Sequence, residues 1–477
     1  MGLIKQSGIY VFGRALPALV GLASIALYTR LLDPASVGAY AVLLSTSLLA
    51  SGIAYSWLRV GALRVAAGGP AELEPDFAAT LGLMFIATSG AIALIEGVAL
   101  HFFFKPVLPF GSLLLAVGAA VASAWYELNG TLLQARLSVV SWGILNLARA
   151  GAALVFSVAL IFAGLKTDAL LAGFVAGNAA TLMFASLWWP ARKGSFNWSL
   201  LQRLWMIGWP SSIASAMGLL SPAFQRYVLV VTAQAGAVGI YAVSQDFATQ
   251  TLMVLIGSIS LAGIPLAFKA KDSGEPEAVS AQLRDNARLI FAVALPVALG
   301  LAALAGPISH VFLGPRFRSG ADVVMALIAI STLLGGLKIY YFDQAFLLAH
   351  QTRPQAIISG VATGVVLAAS LLLIPRFAAV GAALSALCGS IAGVVLSMLW
   401  GSRLLHMPIP LRSWGKTALA AAGMVLAVLI VPAQDGVVGL TAVVVFGAIV
   451  YASLSTATRL ELLRTRFGHR LGWLQRS

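Results

Sequence analysis

Four basic residues, Arg14, Arg149, Arg226 and Lys338, stand inside apolar stretches long enough to span a bilayer. A charge near the bilayer centre costs about 3 kcal/mol even on lenient insertion scales. Cations retained there point to a polar path or site within the membrane, and their sign points to an anion as its occupant. Arg suits a phosphate-bearing anion because its guanidinium stays charged and can bind two oxygens at once, whereas Lys acts as a point charge. The acids at similar depth are Glu96, Asp246 and Asp343, with Glu127 near the end of a span. They have two readings: pairwise neutralisation of the bases, or a buried carboxylate that carries a coupling proton. Asp246 stands first among the coupling candidates, just after an internal repeat, followed by Asp343 and Glu96. Lys338 and Asp343 are five apart on one expected helix, a poor spacing for a direct pair.

The elements that must position these residues are membrane helices. The 477-residue chain is 60% apolar and only 10% charged, with a mean hydropathy of +0.95, whereas a soluble domain carries about 25% charged residues. Runs of roughly 20 apolar residues span the hydrocarbon core as helices. They fall near 8–29, 39–60, 78–100, 107–126, 141–163, 168–189, 205–231, 239–265, 286–308, 321–343, 354–374, 378–402, 414–434 and 436–456. The expectation is therefore an all-α integral membrane protein of about fourteen helices. The stretch 8–29 is too long for the apolar core of a signal peptide and lacks a small-residue cleavage site, so it reads as a retained first helix.

With the N-terminus inside, twenty Lys and Arg fall on the inner side and six (Arg30, Lys105, Lys166, Arg316, Arg318, Arg376) on the outer. That bias places both termini in the cytoplasm. The formal charge of +14 is mostly this asymmetry, so it implies anionic lipid headgroups as partners and no nucleic acid. Trp188, Trp189, Trp198, Trp205 and Trp209 flank an inner loop as an interfacial belt would. The tail 457–477, with five arginines among Leu, Phe and Trp, reads as a helix lying on the inner surface. Cys388 is alone, and the five histidines (101, 310, 350, 406, 469) have no metal-ligand spacing, so neither a disulfide framework nor a metal or other cofactor is expected.

An internal repeat organises the chain. Val37-Gly38-Ala39-Tyr40-Ala41-Val42 recurs as Val238-Gly239-Ile240-Tyr241-Ala242-Val243, and Leu132–Ala135 is echoed at Leu347–His350. Two parallel six-helix halves rocking about a central cavity are a transporter architecture. The expected domains are an N-terminal bundle (1–189), a cytoplasmic linker (190–204), a C-terminal bundle (205–402), two further helices (403–456) and the tail. The halves should be pseudo-symmetric about the membrane normal, enclosing a V-shaped cavity open to one side, with the last two helices outside. Pro17 in the first helix, and Pro210 and Pro222 in the seventh, its repeat partner, imply breaks that permit bending. Pairs such as Gly173/Gly177, Gly360/Gly364 and Gly389/Gly393 fit close helix packing.

Thr29-Arg30-Leu31-Leu32-Asp33-Pro34 followed by Val37-Gly38-Ala39-Tyr40 resembles a signature of the polysaccharide-biosynthesis flippases. These are the O-antigen and exopolysaccharide branch of the superfamily that also holds multidrug extruders and lipid II flippases. Gln225-Arg226-Tyr227 before Val238-Gly239-Ile240-Tyr241, and Leu347-Leu348-Ala349-His350-Gln351-Thr352-Arg353-Pro354, are similar to two further family motifs. One departure is Gln225, where the family has an acid. The resemblance implies a flippase of the bacterial cytoplasmic membrane that moves polyprenyl-pyrophosphate-linked oligosaccharide by alternating access, working beside a polymerase and a chain-length regulator. Arg226 would be the first substrate-binding residue, with Arg14 at comparable depth in the other half; Arg149 and Lys338 match no motif. The alternative is a drug antiporter of the same fold, disfavoured by the two extra helices and the intramembrane arginines. An enzyme is not expected: the longest outer connection, near 309–320, is about a dozen residues, and no phosphate-cradling glycine loop is present. Ser45, Ser47, Asn146, Asn178 and Gln250 are further polar candidates, and the sugar is not specified.

Overall fold

The computed structural model describes residues 3–67, 75–104, 109–135, 139–181, 194–272, 276–349, 351–405, 407–431 and 436–457. Among them the regular structure is helical throughout: α1 Leu3–Leu31, α2 Pro34–Ala67, α3 Pro75–Phe104, α4 Phe110–Ala135, α5 Val139–Phe162, α6 Thr167–Ala179, α7 Trp198–Asp272, α8 Pro276–Ala303, α9 Ala305–Phe312, α10 Ala321–Leu337, α11 Gln344–Leu348, α12 Thr352–Leu404, α13 Leu411–Ile430 and α14 Gly436–Ala457. Nine helices among the described residues are long and apolar enough to cross a membrane. These helices do not map one-to-one onto the expected spans. α7 and α12 each contain two of them, and α9 and α11 are too short to cross. The expected tail, with Trp188 and Trp189, lies outside the described residues, while Trp198, Trp205 and Trp209 are exposed.

The chain forms two compact units, unit 1 over residues 1–242 and unit 2 over 243–477. The stretch 205–242, which the repeat assigns to the second half, therefore packs with unit 1. There it lies antiparallel along α2. A methyl group at Gly208 would run into the Trp57 carbonyl, and one at Gly38 into the Ala235 carbonyl. Between these ends Ser56 Oγ donates to Ser215 Oγ (2.8 Å) and Thr46 Oγ1 pairs with Tyr227 OH (2.8 Å). Small residues at the ends let the two backbones approach, which is how helices bind tightly where lipid supplies no hydrophobic drive. Elsewhere in unit 1, α1 packs on α5, α5 on α6, and α2 on α4.

Asp33-Pro34 has a local reason. Ser36 donates its backbone N–H (2.9 Å) and its hydroxyl (2.9 Å) to the two Asp33 carboxylate oxygens. Asp33 is thus the N-cap of α2, and Pro34 sits where a missing N–H costs nothing. Partial burial pushes the Asp33 carboxyl upward, but the hydrogen bonds from Ser36 outweigh it and hold the group below its ordinary value.

The prolines correct one expectation. The helical backbone is unbroken at Pro17 in α1 and at Pro210 and Pro222 in α7. Membrane helices tolerate proline because neighbouring groups satisfy the freed carbonyl. Breaks fall elsewhere: α7 turns back between Gln225 and Tyr241, whose side chains meet although sixteen residues apart, and α12 breaks at Ala378 (φ 47°, ψ −124°), the one non-glycine residue of positive φ among those described.

In unit 2, α13 and α14 lie on α8. Trp414 stacks on Phe291 at 4.4 Å, and Tyr451 OH donates to the Ala292 carbonyl (2.6 Å).

Candidate functional site: charges buried within each unit

In unit 1 the segments singled out by sequence meet. Gly38 of the first repeat copy and Gly239 of the second pack against each other's helix, with Gly239 against the Pro34 carbonyl. The triplet Gln225-Arg226-Tyr227 ties the two copies together. Arg226, 8% exposed, donates from Nη1 to the carbonyl of Ala41 in the first copy (3.1 Å). Gln225 Oε1 accepts from the hydroxyl of Tyr241 in the second (2.8 Å). A neutral amide oxygen thus supplies this acceptor without an acid at position 225. Tyr227 completes the set through Thr46.

Arg149 sits midway along α5, half-buried, with its guanidinium carbon 4.3 Å from the centre of the Tyr126 ring. That is cation–π geometry, worth about 0.5–2 kcal/mol depending on desolvation. Tyr126 is fixed in turn by donating its hydroxyl to Asn146 Oδ1, and Asn146 donates to the Trp142 carbonyl (2.8 Å). The buried Arg149 Nε has no hydrogen-bond partner among the described residues. Gly177 of α6 packs directly on the backbone of this turn, against the Arg149 carbonyl and Ala153. One member of a glycine pair that reads as generic packing thus lies on the turn that carries the arginine. Arg14 lies on α1, which packs on α5 one residue away, at Gly13 against Gly143; its side chain lies outside the described residues.

In unit 2 the structure overturns the reading of Lys338 and Asp343 as badly spaced. Lys338–Phe342 form a π-helical turn, closed by Asp343 N–H donating to the Lys338 carbonyl (2.8 Å). One extra residue per turn brings positions i and i+5 onto the same face, and Lys338 Nζ pairs with Asp343 Oδ2 at 2.8 Å. Ser397 Oγ donates to the other carboxylate oxygen, Oδ1 (2.7 Å), and Gln355 Nε2 donates to Oδ2 (3.4 Å). Gly393 leaves room for the Lys338 stem. The pair is thus a desolvated, multiply bonded cluster.

The remaining acids part company. Asp246 is exposed, whereas Glu96 on α3 is 4% exposed and neither of its oxygens has a hydrogen-bond partner among the described residues. Glu127 pairs with Arg59. Of the polar candidates, Ser45 and Ser47 are buried and donate to backbone carbonyls, as does Asn178. No group of three or more metal-ligating side chains occurs among the described residues.

The long apolar helices define a class: multi-pass membrane proteins. The lipid II flippase MurJ in an inward closed conformation superposes with a TM-score of 0.79 at 12% identity, covering 95% of this chain and 99% of that one. An inward-facing multidrug resistance MATE family transporter gives 0.68 at 13% identity, over 83% and 97%. A transporter of the same superfamily from Pyrococcus furiosus gives 0.60 at 14% identity, over 84% and 94%. At these identities the likeness is one of fold. Within the class, the model of a family described as polysaccharide biosynthesis protein matches residues 27–322, and the chain belongs to that family. No curated protein matches it in sequence.

Proposed function

We propose that the protein is a flippase of the bacterial cytoplasmic membrane that carries polyprenyl-pyrophosphate-linked oligosaccharide across the bilayer by alternating access, for O-antigen or exopolysaccharide synthesis. The reading is supported by membership of a polysaccharide-biosynthesis family and by a fold shared with a lipid II flippase. The observation that carries it is Arg149. This guanidinium is held in mid-helix by an aromatic face, and a buried N–H is left over. A phosphate oxygen is the natural acceptor for such a group, and in a site of reduced dielectric the attraction exceeds that in water several-fold. Arg226 and Arg14 are the further cations assigned to the pyrophosphate. Lys338, the fourth cation assigned to substrate, is available only if Asp343 releases it.

The test is export of surface polymer in cells that depend on this chain. Arg149→Ala and Arg226→Ala should lose export while reaching the membrane at normal levels. Arg149→Lys should recover only part of it, because the paired contacts of the guanidinium are gone. Full export from a well-expressed Arg149→Ala/Arg226→Ala double variant overturns the assignment. Extrusion of cationic drugs by the intact protein would favour the antiporter reading instead.

A further inference from the structure

The carboxyl of Glu96 has no role in the site just described, yet its surroundings are ordered along one line. On α2, Ser47, Ser51, Tyr55 and Arg59 recur every fourth residue, so they share one face over about 18 Å. Ser47 approaches Glu96 but already shares its hydroxyl hydrogen between the carbonyls of Leu43 (2.9 Å) and Ala116 (2.7 Å). One turn on, Ser51 accepts from Ser123 Oγ of α4 (3.3 Å); a turn further, Tyr55 OH meets Ser89 Oγ of α3 (2.7 Å). At the end of the face Arg59 pairs with Glu127 of α4, both partly exposed. Between this pair and Tyr55 opens a cleft of about 250 Å³, counting the space at its mouth, which Ser51 also lines.

We propose that Glu96 is a proton-binding site of unit 1, reached from the Arg59–Glu127 end along the hydroxyls of Tyr55 and Ser51. Hydroxyls suit this because each both donates and accepts, so a proton passes by forming one O–H bond as the next breaks. The proton comes from hydronium at the mouth and ends on a Glu96 oxygen. Among the described residues, Tyr55 from α2 and Tyr227 from α7 are the titratable groups within electrostatic reach. The acids of α4 and α6, Glu127 and Asp168, are committed to Arg59 and to Ser112. The inference deepens the transporter reading, on which its biological use rests, by giving the cycle a coupled ion.

Infrared difference spectra of the full chain in lipid nanodiscs, titrated from acid to alkaline buffer, test it directly. The wild type should show the C=O stretch of a protonated carboxyl without hydrogen bonds, disappearing as pH rises. Incorporating isotope-labelled glutamate should shift the band, which assigns it even if a variant folds poorly. Glu96→Gln should abolish it and Glu127→Gln should keep it. In Ser51→Ala and Tyr55→Phe the band should remain, but its deuterium exchange should slow on the order of tenfold, as loss of a relay step raises the barrier. A band absent from the wild type, surviving in Glu96→Gln, or responding to sodium instead of pH overturns the site. Unchanged exchange in both hydroxyl variants overturns the path. The spectra need no lipid carrier, so their failure and the failure of the export assay are separate outcomes.

Discussion

In unit 2 the Asp343 carboxylate collects a lysine, a serine and a glutamine, while in unit 1 the Glu96 carboxyl collects no hydrogen-bond donor among the described residues. The backbones show the reverse contrast. α3 and α5, which carry Glu96 and Arg149, are regular helices, whereas unit 2 inserts a π-helical turn to bring Lys338 to Asp343 and bends α12 at Ala378. Unit 2 thus places its main-chain irregularity beside its charges and satisfies them; in unit 1 the helices that carry the open polar groups, α3 and α5, are regular. Open groups are what a ligand or a proton can complete. A satisfied pair responds only when something breaks it.

The largest effects should separate the two carboxylates. Asp343→Leu strands a buried ammonium and should cost about 3–5 kcal/mol, the usual penalty for breaking a buried pair. Thermal unfolding in detergent should show the loss, and Lys338→Met added to it should restore most of the stability. Glu96→Gln removes no hydrogen bond within the described structure and should leave unfolding nearly unchanged. If the two single variants behaved alike, the contrast between the units would fail.

Next in size is the dependence of unit 1 on backbone contact. Gly38→Ala or Gly239→Ala places a methyl group against a carbonyl of the facing helix, where no flexible side chain can yield. Each should cost about 1–3 kcal/mol, as overpacking does. Because Arg226 reaches the Ala41 carbonyl across the same contact, export should fall with stability. Gly218→Ala, with open space at its Cβ, should be tolerated. A Gly38→Ala protein as stable as the wild type would show that the helices are less tightly joined than described.

Much of this was legible in the sequence, for reasons of period and composition. Apolar runs announce membrane helices whatever their partners, but the second one starts earlier than the apolar run at 39, at Asp33-Pro34, whose N-cap chemistry the resemblance alone does not bring out. The repeat marked Gly38 and Gly239, but that the copies touch is a tertiary fact. Lys338 and Asp343 are badly spaced on an α-helix, and nothing in Lys-Ile-Tyr-Tyr-Phe signals the wider turn that pairs them. The ladder Ser47-Ser51-Tyr55-Arg59 is plain at intervals of four. It carries no signal by itself because serine in a membrane helix ordinarily bonds its own backbone, as Ser47 does, and only the facing helices make it a line. Arg149 matched no motif; its aromatic partner Tyr126 lies on another helix.

The smallest effect tests whether unit 2 truly carries backbone strain. A positive φ at a residue with a Cβ costs of order 1–3 kcal/mol and persists only where the surroundings enforce it. At Ala378 they do: three residues on, Gly381 packs against the Leu373 carbonyl, which closes the two arms of α12 into a tight bend. Glycine lacks the Cβ that makes this conformation costly but loses more entropy on folding, about 0.5–1 kcal/mol. Ala378→Gly should therefore gain stability by about 1 kcal/mol, the difference between these terms. Ala379→Gly makes the same chemical change one residue later, where the backbone is helical, and should lose about as much. Opposite signs at adjacent positions cannot arise from side-chain packing alone, since the same methyl group is removed in both. If both substitutions destabilised equally, the bend at Ala378 would be relaxed, and the contrast between the units would rest on their charges alone.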